Sequence, residues 1–161
     1  MRRWSSLQRQ IYQIVAPAID LQIHCRVYRM QSQRGSAGLP RYWITLGQEI
    51  IWDYPKKFVE TPRHASRKPI HHYPYCTDIP AISALLREYI DTPAKDLLDK
   101  TFASDQWGLA NILRAADRRI GSRQWPRLRK KLHNEAALKV LKRRMEQASS
   151  SKARVSTAAR P

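Results

Sequence analysis

Glycine is scarce in this chain, with five in 161 residues. A phosphate-cradling loop, a dinucleotide fingerprint and a nucleophile elbow each need glycines at fixed spacing, where the backbone must turn sharply or touch a ligand, and none of these patterns occurs. Nucleotide hydrolysis through a known loop is thereby excluded. Cysteine is scarcer still: only Cys25 and Cys76 are present, an economy that suits a reducing cytosol better than a small secreted scaffold stapled by several bridges. No apolar stretch approaches the roughly 20 residues that a membrane span needs. "MRRWSSLQRQ" is interrupted by Gln8, Arg9 and Gln10 before a signal-peptide core forms. A cytoplasmic protein without a membrane span is expected. Acidic residues are few as well, 13 against 30 Lys and Arg, which leaves a formal net charge of +17.

What is present is sufficient to fold. An apolar content of 42% with five Trp is too rich for a wholly disordered chain, and the length fits one domain that buries a core without disulfides or metals.

Hydrophobic periodicity organises the chain into two halves. Leu7, Ile11, Ile14 and Val15 recur at helical spacing, predicting a helix over about Ser6 to Val15, capped by Ser5 or Ser6 and stopped by Pro17. In "DLQIHCRVYRM", Leu21, Ile23, Cys25 and Val27 alternate with polar residues, the mark of a half-buried strand. "QSQRGSAGLP" reads as a loop. "RYWITL" and "EIIWDY" read as two more strands joined by a hairpin at Gly47 and Gln48. Residues 1–54 are thus a helix on a three-stranded antiparallel sheet. A Pro-rich connection follows over 55–76, and 77–147 form a helical half packed on the sheet as one domain.

In that half, Thr77 or Asp78 caps a helix carrying Ile79, Ile82, Leu86 and Tyr89. Thr92 before Pro93 starts a second, with Leu97, Leu98 and Phe102 inward. Ser104 or Asp105 opens a third through Leu109, Leu113, Ala116 and Ile120, ended by a left-handed Gly121. A short fourth carries Trp125, Leu128 and Leu132, with Trp125 in the core. Asn134 caps a fifth, whose apolar line is Leu138, Leu141 and Met145. The last stretch, 148–161, "ASSSKARVSTAARP", has the composition of a disordered basic tail. The fold class is therefore α+β.

The charge is not spread evenly. Residues 1–75 carry a net +8, residues 76–117 a net −3, and residues 118–161 a net +12. Arg118, Arg119, Arg123, Arg127, Arg129, Lys130 and Lys131 cluster around one turn, and Lys139, Lys142, Arg143 and Arg144 lie off the apolar line of the last helix. If the helices pack together, these cations form a continuous surface suited to phosphates, whose contact releases counterions and makes binding steeply salt dependent. The competing readings are a merely solvated face, or a face that docks on the acidic middle helices.

Two helices flanking Gly121 meet the outline of a helix-turn-helix, with Arg123, Gln124 and Arg127 in reach of base edges. Trp125 and Pro126, however, occupy positions where a reading helix presents side chains. His64, His71, His72, Cys25 and Cys76 lack a paired zinc spacing, so no metal or other cofactor is assigned. Glu49, Asp53 and Glu60 with Lys56 and Lys57 are the ingredients of a metal-dependent nuclease without its spacing. Asp117 is expected to pair with Arg114 one turn back.

"WSSLQRQIYQIVAPAI" followed by "VYRM", "RYWITL" leading into "EIIWDYP", and "ILRAADRRIGSRQWPRL" together resemble a family of short uncharacterised bacterial proteins. Trp4, Ser5, Pro17, Ala18 and the Asp117-Arg118-Arg119-Ile120-Gly121 element carry the resemblance, over most of residues 4 to 145. It implies no enzymatic activity. The expected function is a non-enzymatic, nucleic-acid-associated accessory protein that binds DNA or RNA phosphates. The alternative is an adaptor or regulator that meets an acidic protein, and a nuclease comes third.

Overall fold

A computed structural model describes residues 4–32, 35–54 and 79–158. The expected connection over 55–76, with Glu60, Lys56, Lys57, His64, His71, His72 and Cys76, lies outside the described residues, as do the Thr77 and Asp78 caps.

The chain is α+β: the described residues form one helix, a three-stranded antiparallel sheet, then four further helices. Helix α1, Trp4–Ile14, buries Leu7 and Ile11. It starts at Trp4, so Ser5 and Ser6 lie inside its first turn instead of capping it. Strands β1, Leu21–Ser32, β2, Gly35–Leu46, and β3, Glu49–Tyr54, pair in the order β1-β2-β3. Alternation does what period 2 requires: Leu21, Ile23, Tyr42, Ile44 and Leu46 are buried on one face. Helix α1 covers the β1 edge, where Gln8 donates 2.6 Å and Tyr12 3.3 Å to the Ile23 carbonyl, an acceptor left open by the sheet. Gly47, at φ 59°, makes the two-residue β2–β3 turn, a conformation that a Cβ disfavours.

The described residues of "QSQRGSAGLP", expected as a loop, are strand instead. Val27 pairs with Pro40 and the ladder continues to Ser32 opposite Gly35, beyond the end of β3. A two-stranded ribbon needs only backbone pairing, so Ser, Gly and Gln take part in it without apolar alternation.

Helix α2, Ile79–Asp91, buries Ile82, Leu85, Leu86 and Tyr89. The helix expected after Thr92 does not form: 94–99 are turns, closed by Asp96 N–H to Pro93 O at 3.0 Å and Lys100 N–H to Asp96 O at 2.8 Å. The Thr92 hydroxyl donates 2.6 Å to the Glu88 carbonyl, so it terminates α2 instead of starting a new helix. Arg114 holds those turns by donating to the carbonyls of Leu97 (2.7 Å) and Lys100. Leu97, Leu98 and Phe102 are buried all the same.

Helix α3, Leu109–Ala116, is opened by Asp105, whose carboxylate accepts from the amides of Leu109 at 3.0 Å and Ala110 at 2.8 Å. Gly108 just before it is at φ 71°, and a Cβ there would lie 2.6 Å from Asn134 Nδ2, so glycine is needed twice over. The helix ends at Ala116 without Gly121, which is extended at φ −73°, ψ 167°. Asp117 instead bridges Val15 in antiparallel fashion, with Arg118 N–H to Ile14 O at 2.8 Å and Ala16 N–H to Ala116 O at 2.8 Å. That short patch of sheet ties the chain's start to its second half.

A single 3-10 turn, Ser122–Gln124, leads into α4, Trp125–Lys131, and α5 spans Glu135–Ala158. Asn134 caps α5, accepting 2.8 Å from the Ala136 amide. Two expectations for α5 are corrected. Its buried line is Ala137, Val140, Leu141 and Arg144, while Leu138 and Met145 are 36% and 38% exposed. The segment expected to be disordered from 148 is helical through Ala158, with no proline before Pro161 to break it. The hydroxyls of Ser149, Ser150 and Ser151 each donate back to the carbonyl four residues before.

Candidate nucleic-acid interface

The eleven cations singled out in the sequence divide by partner. Two are committed to the interior. Asp117 is 1% exposed and accepts from the Tyr89 hydroxyl at 2.9 Å, the Arg119 amide at 2.8 Å and the Arg119 guanidinium at 2.7 Å. Arg119 also donates 2.9 Å to the Thr92 carbonyl, so one side chain joins the ends of α2 and α3. Asp117 therefore pairs with Arg119 and not with Arg114, whose fork is occupied by the turns before α3. Burial, and then the neighbouring Asp117 carboxylate, push the Tyr89 phenol well above its ordinary pKa.

Arg144, expected to point outward, is 6% exposed. Its guanidinium donates to the carbonyls of Asp117 (2.8 Å), Ile120 (2.8 Å) and Ala115 (3.4 Å), and lies 5.1 Å from the Trp125 ring centroid. The carbonyls at a helix end lack donors of their own, and a planar fork of five N–H groups satisfies several at once. Burial pulls its pKa down, with Asp117 opposing. Trp125 is half-buried under this cation, its indole N–H donating 3.4 Å to Ile120 O.

Three more are exposed but neutralised. Arg127 and Lys131, one turn apart on α4, both reach Asp99 at 2.7 Å. The Lys131 hydrogen bond, reinforced by Arg127, holds the Asp99 carboxyl below the usual carboxylate range. Lys139 pairs with Glu49 at the β2–β3 hairpin. Among the described residues, the acidic middle segment thus meets α4 through Asp99.

Six remain. Arg118, Arg123, Arg129, Lys130, Lys142 and Arg143 are exposed and have no anionic partner among the described residues. They come from the turn after α3, from α4 and from the outer face of α5. Arg129 and Lys142 line one open groove between α4 and α5, together with Leu138 and Met145.

The helix-turn-helix outline is not met. Residues 117–124 separate α3 from α4, longer than the three or four residues of that turn. Of the nuclease ingredients, Asp53 is held by a bidentate Arg41 at 2.9 Å and Glu49 by Lys139. No group of three metal-ligating side chains occurs among the described residues, and no described helix is long and apolar enough to cross a membrane. Cys25, half-buried on β1, has its thiol pushed up by burial.

The sequence reading missed the interior use of Arg119 and Arg144 and the exposure of Leu138 and Met145. One signal was available: Ala137, Val140, Leu141 and Arg144 fall at spacings of three and four, and their stripe is continuous only if the arginine is accepted as buried.

No curated protein and no solved structure matches this sequence. Residues 3–145 match a family model, and the chain belongs to the SF0329 protein family.

Proposed function

We propose that the protein is a non-enzymatic accessory factor that binds the phosphate backbone of DNA or RNA through its C-terminal helices. One observation carries this reading: after every internal ion pair is discounted, six exposed cations between Arg118 and Arg143 still lack an anionic neighbour among the described residues. Unneutralised cations concentrated in one segment attract polyanions without reading sequence. A bacterial cytoplasm, where nucleic acids are abundant polyanions, is the setting this reading assumes, with the Trp4–Ser5 start and the Asp117–Gly121 element as family marks.

The test is a titration of unrelated DNA and RNA oligomers across a salt series. Six backbone contacts on duplex DNA correspond to a log–log salt slope of about −5. Changing Arg118, Arg123, Arg129, Lys130, Lys142 and Arg143 to Gln should flatten the slope and abolish binding at physiological salt. Equal binding by the parent and this variant would end the proposal.

A further inference from the structure

The outward face of α5 is not uniformly charged. Leu138 and Met145, two turns apart, are more than a third exposed, and Leu141 closes the space between them from below. They floor an open groove of about 830 Å³ whose lips carry Arg129 of α4 with Lys139, Lys142 and Glu146 of α5. A two-turn separation is about 10 Å along the axis, the repeat with which an amphipathic helix presents its own anchors.

We infer that this groove docks an acidic amphipathic helix of a partner protein, its apolar side on Leu138, Leu141 and Met145 and its carboxylates on Arg129 and Lys142. Charge selects the occupant. The lips hold three cations against one carboxylate, and Glu49 already neutralises Lys139, which leaves Arg129 and Lys142 to recognise an anion. A second copy of this chain would set those cations against their own kind, a juxtaposition that disfavours association. A nucleic-acid backbone would satisfy the cations but leave the apolar floor facing polar sugar and phosphate, so no apolar area would be buried. An acidic helix with apolar residues at i, i+3 and i+7 meets both demands at once. The inference shares Arg129 and Lys142 with the phosphate reading and is separated from it by the uncharged floor residues Leu138, Leu141 and Met145.

Three labelled helical peptides test it: one with Leu at i, i+3 and i+7 and Glu elsewhere on the flanks, one with Lys for Glu, and one with Ser for Leu. The acidic peptide should bind at least about tenfold tighter than either control. Leu138→Ser with Met145→Ser should remove that binding while leaving oligonucleotide affinity and its salt slope unchanged. Both side chains are exposed, so circular dichroism should report an intact fold. Arg129→Glu with Lys142→Glu should reverse the preference toward the Lys peptide. Equal binding of the three peptides, or binding that survives Leu138→Ser with Met145→Ser, would overturn the inference. So would a dimer in sedimentation that this double variant dissociates, which would assign the groove to a second copy. Loss of oligonucleotide binding in the same variant would assign it to nucleic acid instead.

Discussion

Asp99→Asn should make the protein bind nucleic acid more tightly. Asp99 receives Arg127 Nη2 at 2.7 Å and Lys131 Nζ at 2.7 Å, so one carboxylate withholds two cations from any outside anion. The amide keeps the shape and loses the charge. Lys131 keeps its bond to the Leu98 carbonyl at 3.0 Å, and Arg127 loses the anionic charge that held it. If both then reach phosphates, the log–log salt slope steepens by about 1.8, from roughly 0.9 per contact. Lowering salt from about 150 to about 50 mM should therefore tighten the variant about sevenfold more than the parent, since three raised to the power 1.8 is about seven. Fluorescence anisotropy with a short duplex across that range reads the effect directly. Adding Arg127→Gln and Lys131→Gln to Asp99→Asn should return the slope to that of the parent or below. The pair is exposed, so the fold should not change. An unaltered slope in Asp99→Asn, in a protein that still binds duplex, would show that α4 does not face the phosphates and would refute the partition of cations into held and available sets.

Further outcomes follow from the interior. Asp117→Asn removes the charge that Arg119 was placed to meet, and because Arg119 reaches solvent the loss should sit at the low end for a broken buried pair, about 3 kcal/mol, or roughly 6–12 °C in thermal melts. Arg144→Met removes the guanidinium donor from the Ala115, Asp117 and Ile120 carbonyls and should also cost about 3 kcal/mol by denaturant unfolding, with Arg144→Lys recovering only part of it. Tyr89 has a raised pKa, so the neutral phenol belongs to the fold: its contribution is full below about pH 10, the unfolded value, and declines as pH rises above it. Tyr89→Phe should lower stability at neutral pH through the lost bond to Asp117 and flatten the alkaline decline above about pH 10, read by urea unfolding at a series of pH values. Leu141→Ala should cost about 2–5 kcal/mol, whereas Leu138→Ser should stay within about 0.5 kcal/mol, because only the first is buried.

The α+β architecture was legible in the sequence because its two periods are undisguised. Leu21, Ile23 and Cys25 alternate, with Val27, expected on the same side, 57% exposed, while Leu109, Leu113 and Ala116 recur at three and four. Elements that depend on what a polar side chain does were less legible. Thr92 before Pro93 has the composition of a helix start, yet its hydroxyl turns back to Glu88 and closes the helix before it. Gly121 looks like a left-handed stop, but Asp117 stops α3 first by entering a bridge with Val15, a partner 102 positions away that no local pattern reveals. In α5 both candidate stripes have helical spacing, and the longer side chains of Leu138 and Met145 outweighed the alanines that allow α3 to approach closely. Of the candidate surface, the sequence shows only a concentration of charge after Asp117, with no means of telling a held cation from an available one.

That distinction has a structural cause that links the interior charges to the exterior ones. Asp117 and Arg119 join the ends of α2 and α3, and Arg144 reaches from α5 to the carbonyls of the same turn. Three helices are thus fixed at one point by charged groups whose hydrogen bonds tolerate little rotation. Around that point stand Arg118, one residue from Asp117 and Arg119, and Arg143, beside Arg144. These two of the six exposed cations are therefore chain neighbours of a hydrogen-bonded interior group, and their backbone is held by the neighbour's bonds. A hydrophobic replacement of the Asp117–Arg119–Arg144 cluster with matched volume can keep or even raise stability, but it removes the directional bonds that set how the three helices meet. The Asp-Arg-Arg element thus has a structural use in joining three helices, which accounts for it without assigning any of its residues to chemistry.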